Sequence, residues 1–202
     1  MRRLTATADA TAVLAEAVER HHPQLVMLCS FQKEESVLVD ELVRLVPDAH
    51  LVTIDTGVLF PETLATWRAF EQRFGVNIEV EDASGPWTGP ANCCGAAKVA
   101  ALESALSGAD AWITGIRRRQ SPTSANAQPV EWDEKRSMWK YNPLVDWTEQ
   151  DVWRRIHERD LPYHPLHDQC YASIGCAPCT NPGSGREGRW AGTDKTECGL
   201  HV

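Results

Sequence analysis

The sequence predicts an α/β protein built on a parallel sheet. Short apolar runs of strand length alternate with helical stretches, a few turn residues separate each pair, and the chemistry-bearing residues collect just after the strands. Residues 9–21 read as a helix. Gln24-Leu-Val-Met-Leu-Cys29 is then an apolar strand, followed by a polar loop and a helix over 35–46. The unit repeats with a strand at 50–54, a helix at 61–74, a strand at 77–80, a helix at 94–107 and a strand at 109–114. One more helix, 148–159, precedes a tail rich in Pro, Gly, His and Cys that has little periodicity.

The 202 residues, 43% hydrophobic and 24% charged, suit one domain spanning 1–202. Its α/β core covers about 24–160, with the tail, 161–202, as an appendage. Two arginines near the N-terminus are followed by no apolar run of signal-peptide length, and no window approaches a membrane span, so a cytoplasmic location is expected. A net charge of −8 argues against a general nucleic-acid surface. An anionic ligand must then be gripped by a local cationic cluster.

Parallel sheets bind ligands outside the carboxyl ends of their strands. Residues 30–36, 55–62 and 115–123 fall there, which makes a nucleotide site the natural reading. The first loop, Ser30-Phe-Gln-Lys-Glu-Glu-Ser36, leads into a helix N-terminus that could present N–H groups to an anion. It lacks glycine, so it reads equally as a simple helix start with Glu34 and Glu35 favourably placed. Arg117-Arg-Arg119 is a dense positive cluster at a strand end. Arg186 and Arg189 lie a few residues before Cys198 and could travel with it as a lid. Arginine suits phosphate or sulfate oxygens because its planar fork makes bidentate, charge-assisted bonds.

Seven cysteines, an odd number, make metal ligation or thiol chemistry a better reading than a disulfide framework in a reducing compartment. Cys93 and Cys94 are adjacent at a helix start, and Cys176-Ala-Pro-Cys179 supplies a C-x-x-C pair. Two pairs of thiolates suit structural zinc or an iron–sulfur cluster. Neighbouring helical side chains diverge by about 100°, a divergence that a cubane with separate iron corners tolerates better than one small ion. Lys98, a turn after Cys94, would point toward the metal or the site beside it. Cys198, near Lys195 and His201, reads either as a nucleophile with a depressed pKa or as a further ligand. Cys29 reads as packing, and Cys170 receives no role.

In this order, Asp55-Thr-Gly-Val-Leu-Phe-Pro-Glu62, Cys93-Cys94, Ile113-Thr-Gly-Ile-Arg-Arg118, Asn142-Pro-Leu, Asp146-Trp-Thr, Ser173-Ile-Gly-Cys-Ala-Pro-Cys179 and Glu197-Cys-Gly-Leu-His201 are highly specific. The chain resembles the assimilatory adenosine 5′-phosphosulfate (APS) reductases of bacteria, from about residue 24 to its end. The resemblance implies a three-layer fold like that of the adenine-nucleotide-binding ATP pyrophosphatases, with residues 30–36 as a degenerate pyrophosphate loop. It implies Cys198 as the nucleophile that forms an S-sulfocysteine, and thioredoxin or a similar dithiol protein as reductant. It also implies a 4Fe-4S cluster on Cys93, Cys94, Cys176 and Cys179 with a structural and electrostatic role. Substrate contacts would come from Ser30, Lys98, Arg117, Arg118, Arg186, Arg189 and His201. A homo-oligomer is compatible with it.

The chain departs from the family pattern at Ala97 and Ser124, where relatives usually carry arginine, and at Cys170, where glycine is usual. Arg119 is a candidate to compensate for the lost charge. Rival readings are a reductase for 3′-phosphoadenosine 5′-phosphosulfate (PAPS), which relatives with the four cluster cysteines less often prefer, and a zinc-stapled nucleotide-binding module without catalysis. A tRNA-thiolating pyrophosphatase would need a glycine-rich loop and a basic surface, and the sequence has neither.

Overall fold

The computed structural model describes residues 9–89 and 95–190. Their order is α1 (Ala10–His21), β1 (Leu25–Leu28), α2 (Lys33–Leu45), β2 (His50–Asp55), α3 (Pro61–Phe74), β3 (Ile78–Asp82), α4 (Ala96–Ala105), β4 (Ala111–Ile113), β5 (Val130–Asp133), β6 (Met138–Tyr141) and α5 (Glu149–Arg159). Short 3₁₀ turns follow β4 and α5. The sheet has six strands in the order β3-β2-β1-β4-β6-β5, parallel except for the β5–β6 hairpin. No helix among the described residues is long and apolar enough to cross a membrane.

Strand alternation builds the layers. Leu25 and Met27 of β1, Leu51 of β2 and Ile113 of β4 enter a core shared with α1, α2, α3 and α5. Val26, Val52 and Trp112 point the other way, onto Leu102 and Ala105 of α4. The expected parallel, helix-covered sheet is therefore present. Helix α3 ends where its sequence says it must, with Pro61 in the first turn and Gly75 at φ +67° just past the end. Thr148 caps α5, accepting from Asp151 N while the Asp151 carboxylate accepts from Thr148 N.

The hairpin is the element that the sequence reading lacks. Its four-residue strands carry Glu131, Asp133 and Lys140, and its turn has Ser137 rather than glycine at φ +53°. Neither a long apolar run nor a turn signature announces it. β6 nevertheless pairs parallel to β4 and carries the buried Tyr141 into the core.

Candidate active site

β1 lies between β2, to which the chain runs on, and β4, which joins from the other side, so the crevice beyond β1 and β4 is the topological switch point. The turn after β1 is shaped by Phe31, which sits at φ +60°, a conformation that non-glycine residues seldom adopt. Its buried ring holds it there, stacked on Trp67 at 5.7 Å and edge-on to Phe70 at 5.6 Å. The Glu35 carboxylate closes the turn by accepting from Gln32 N at 2.9 Å and Ser30 Oγ at 3.2 Å. Burial, and then the charge of Glu34, push the Glu35 carboxyl up to about 8. Near neutral pH it adds little negative charge to the cavity beside it.

That cavity is floored by Leu28, Val52, Ile54 and Trp112 and rimmed by Ser30, Gln32, Lys98, Gln120, Arg186 and Arg189. A lining that combines apolar side chains with cationic ones suits a flat ring that carries an anionic group. Cys29 also lines it, and burial raises its thiol well above the usual range, which fits a packing role. Cys176 borders the same space.

The far wall comes from the tail, tied to the N-terminal turn of α2. Ile174 N donates to Gln32 Oε1 at 3.0 Å, and Lys33 Nζ donates to Ala172 O at 3.0 Å. The tail then folds back on itself: Asn181 N donates to Gly188 O at 2.8 Å and Trp190 N to Cys179 O at 3.0 Å. Arg189 Nη1 donates to Ile174 O at 3.1 Å and its guanidinium lies 4.4 Å from the Trp190 ring centroid. Arg186 stands over the same ring at 5.5 Å. Gly175 lies beneath Arg189, and a Cβ there would be 2.4 Å from Nη2, so a side chain at this position would displace the guanidinium.

Cys176 and Cys179 flank one tight turn and are both buried, packed with Trp190 and Val58. The Cys176 sulfur lies 3.2 Å from Thr56 Oγ1, and Ala177 N donates to Val58 O at 2.9 Å. Two soft thiols on one rigid turn form half a ligand set of the kind that zinc or an iron–sulfur cluster takes. No group of three or more metal-ligating side chains occurs among the described residues. Cys93, Cys94, Cys198 and His201 lie outside those residues.

Ser30, Lys98, Arg186 and Arg189 thus meet at one pocket, whereas Arg117 and Arg118 do not join them. Arg117 is buried, and its Nε and Nη2 both reach Glu34 Oε1 at 2.8 Å. Arg118 pairs with Asp146 and donates from Nε to Ala127 O at 2.7 Å. Their charge is matched by carboxylates within the fold. Arg119 is exposed beside a neighbouring cavity lined by Lys33, Glu34 and Arg117, while Ser124 lines a different one with Lys140 and Arg186. Arg119 therefore does not occupy the cavity of Ser124, and Ala97 is exposed on α4. Sequence reasoning missed Glu35, Gln120, Gly175 and Trp190 as parts of the site. Gly175 and Trp190 had a signal, as the residues flanking the C-x-x-C pair and the second arginine.

A family model for the phosphoadenosine phosphosulfate reductase domain matches residues 24–182. The chain belongs to that family. An adenosine 5′-phosphosulfate reductase of Bacillus pumilus (strain SAFR-032) is 44% identical over 210 residues, covering 95% of this chain and 90% of the relative. A phosphoadenosine 5′-phosphosulfate reductase of Gloeobacter violaceus (strain ATCC 29082 / PCC 7421) is 42% identical over 211 residues, covering 95% and 88%. The phosphate complex of the Candida auris phosphoadenylyl-sulfate reductase superposes with a TM-score of 0.70 at 25% identity, covering 84% of this chain and 88% of that one. Candida glabrata FMN adenylyltransferase, solved with FMN and an ATP analogue, shares the nucleotide-binding fold at a TM-score of 0.70 and 16% identity, covering 87% and 64%.

Proposed function

We propose that this chain reduces APS to sulfite and AMP in sulfate assimilation and cysteine biosynthesis, as an adenylyl-sulfate reductase of the thioredoxin-using type. The observation that carries the reading is the meeting of Lys98, Arg186 and Arg189 on an apolar-floored pocket at the switch point, in a chain of the sulfonucleotide reductase family. The adenine would lie over Val52, Ile54 and Trp112, with the phosphosulfate toward the cations and Ser30.

In the first displacement the Cys198 thiolate bonds to the sulfur of APS. The bond from that sulfur to the bridging oxygen breaks, its electron pair leaves with AMP, and S-sulfocysteine remains on the enzyme. In the second, a thiolate of a dithiol protein such as thioredoxin attacks the Cys198 sulfur and sulfite leaves with the bonding pair. The second thiol resolves the mixed disulfide, returning Cys198 reduced and the dithiol oxidised. Both electrons come from the dithiol. His201 belongs, on this reading, with the groups that close over the phosphosulfate.

The buried pair Cys176 and Cys179 fits as half of a four-thiolate set completed by Cys93 and Cys94. A 4Fe-4S cluster there would have a structural and electrostatic role near the sulfate rather than supply electrons. Thiol chemistry of this kind places the enzyme in a reducing compartment such as the cytoplasm.

Mass spectrometry after incubation with APS and no reductant tests the proposal. A sulfite-sized adduct on Cys198, absent from Cys198→Ser, is expected; an unmodified Cys198 in a chain that turns APS over would refute it. The name of the Gloeobacter relative favours PAPS as a second reading. kcat/KM measured on both nucleotides separates the two, and a clear preference for PAPS would overturn the substrate assignment.

A further inference from the structure

One wall of the pocket contains a hydroxyl whose hydrogen the fold directs. Thr63, in the first turn of α3, is buried and lines the cavity with Gln32, Leu59, Ile174 and Cys176. Behind it His164, at 0% exposure, places Nε2 2.9 Å from Thr63 Oγ1. The other ring nitrogen is committed: Leu166 N donates to His164 Nδ1 at 3.3 Å, so Nδ1 is an acceptor and bears no hydrogen. Burial, and then the neighbouring His167, lower the imidazole to about 4, so the ring is neutral and its one hydrogen is on Nε2. That hydrogen must go to Thr63 Oγ1. The Thr63 oxygen is then an acceptor, and its own hydrogen has no acceptor among the described residues. Thr63 itself lines the cavity, from which an acceptor can approach.

We infer that Thr63 donates its hydroxyl hydrogen to a phosphosulfate oxygen of the bound nucleotide, and that His164 is the positioning residue that turns the hydroxyl toward it. The inference rests on the sulfonucleotide reading of the pocket. The oxygen is assigned to the anionic end because Thr63 sits at the N-terminus of a helix of 14 residues, where the dipole favours negative charge, and shares its lining with Arg186 and Arg189. Hydrogen bonds to charged groups are worth enough to move affinity by about tenfold or more.

Thr63→Val keeps the shape and removes the donor. It should raise KM for APS about tenfold, with kcat changed less, while Thr63→Ser stays near wild type. His164→Leu should raise KM by a similar factor, and the Thr63→Val, His164→Leu double variant should be no worse than either single one, because both remove the same directed hydrogen. His164→Gln, whose amide can place an N–H near the Nε2 position, should recover affinity even if the leucine variant folds poorly. Unchanged KM in Thr63→Val overturns the role of Thr63. Additive losses in the double variant, or no recovery with glutamine, overturn positioning by His164. A wild-type protein that neither binds nor turns over APS or PAPS is a separate result, since there the reading of the pocket fails first.

Discussion

The two walls of the pocket are built by different physics. The wall at the ends of β1 and β4 stands on these two buried strands, and its turn is held by the Phe31 ring among Trp67 and Phe70. The tail wall, residues 170–190, has a much smaller apolar base of Cys176, Cys179, Trp190 and Val58. It is kept in place by backbone bonds between its own turns, by two bonds to the start of α2, and by a guanidinium laid on a glycine. A wall resting on a core tolerates the loss of one contact. A wall made of directional contacts has few to lose, so single changes there should reach the pocket directly.

The largest expected effect tests that claim. Gly175→Ala puts a methyl where the Arg189 guanidinium lies. The guanidinium must leave, taking with it the bond to Ile174 O and its stacking on Trp190. A fall in kcat/KM of about 100-fold is expected from the loss of a charge-assisted contact in the site, with only a small change in melting temperature. A large drop in melting temperature with activity preserved in the folded fraction would show that the tail wall is a stability element instead.

The second test turns to the sheet-end wall. The folded-state pKa of Glu35, about 8, lies above its ordinary 4.5, so the folded chain keeps a proton that the unfolded chain has released. The stability linked to it is whole below pH 4.5 and is lost as pH rises through about 8. In that window the slope approaches about 1.4 kcal/mol per pH unit. Glu35→Gln retains an acceptor oxygen for Gln32 N and cannot ionise. Urea unfolding across this range should show wild type losing stability relative to the glutamine variant, and parallel curves would mean that Glu35 is already ionised in the fold.

The same contrast explains what was legible in the sequence. Burial leaves a periodic trace, so β1, β2 and the helices over them could be read, and α3 even to its ends because Pro61 and Gly75 mark them. The β5–β6 hairpin, short and charged, leaves none. Within the site, the motifs and the family resemblance offer Lys98, Arg117, Arg118, Arg186 and Arg189 alike as substrate contacts, and of these Lys98, Arg186 and Arg189 line the pocket. The difference lies in distant carboxylates: Glu34, 83 residues away, and Asp146. Pairing across the fold commits Arg117 and Arg118 to those carboxylates, and spacing along the chain carries no record of it.

The smallest effect concerns Cys170, at the foot of the tail wall. It follows the 3₁₀ turn Pro165–Gln169 with φ +66°, where its N–H bonds to Leu166 O and its carbonyl accepts from Gly183 N at 2.9 Å. This left-handed geometry favours glycine, since a Cβ there costs about 1–2 kcal/mol. The thiol is exposed and is not among the residues lining the pocket. Cys170→Gly relieves the strain but gives the unfolded chain more freedom, worth about 0.5–1 kcal/mol, so a net gain of up to about 1 kcal/mol is expected with KM unchanged. Because the tail wall depends on the direction of each bond rather than on buried area, relaxing this one dihedral should be visible in thermal unfolding. A loss of stability in Cys170→Gly would mean that the side chain, and not the turn, holds residue 170 in place.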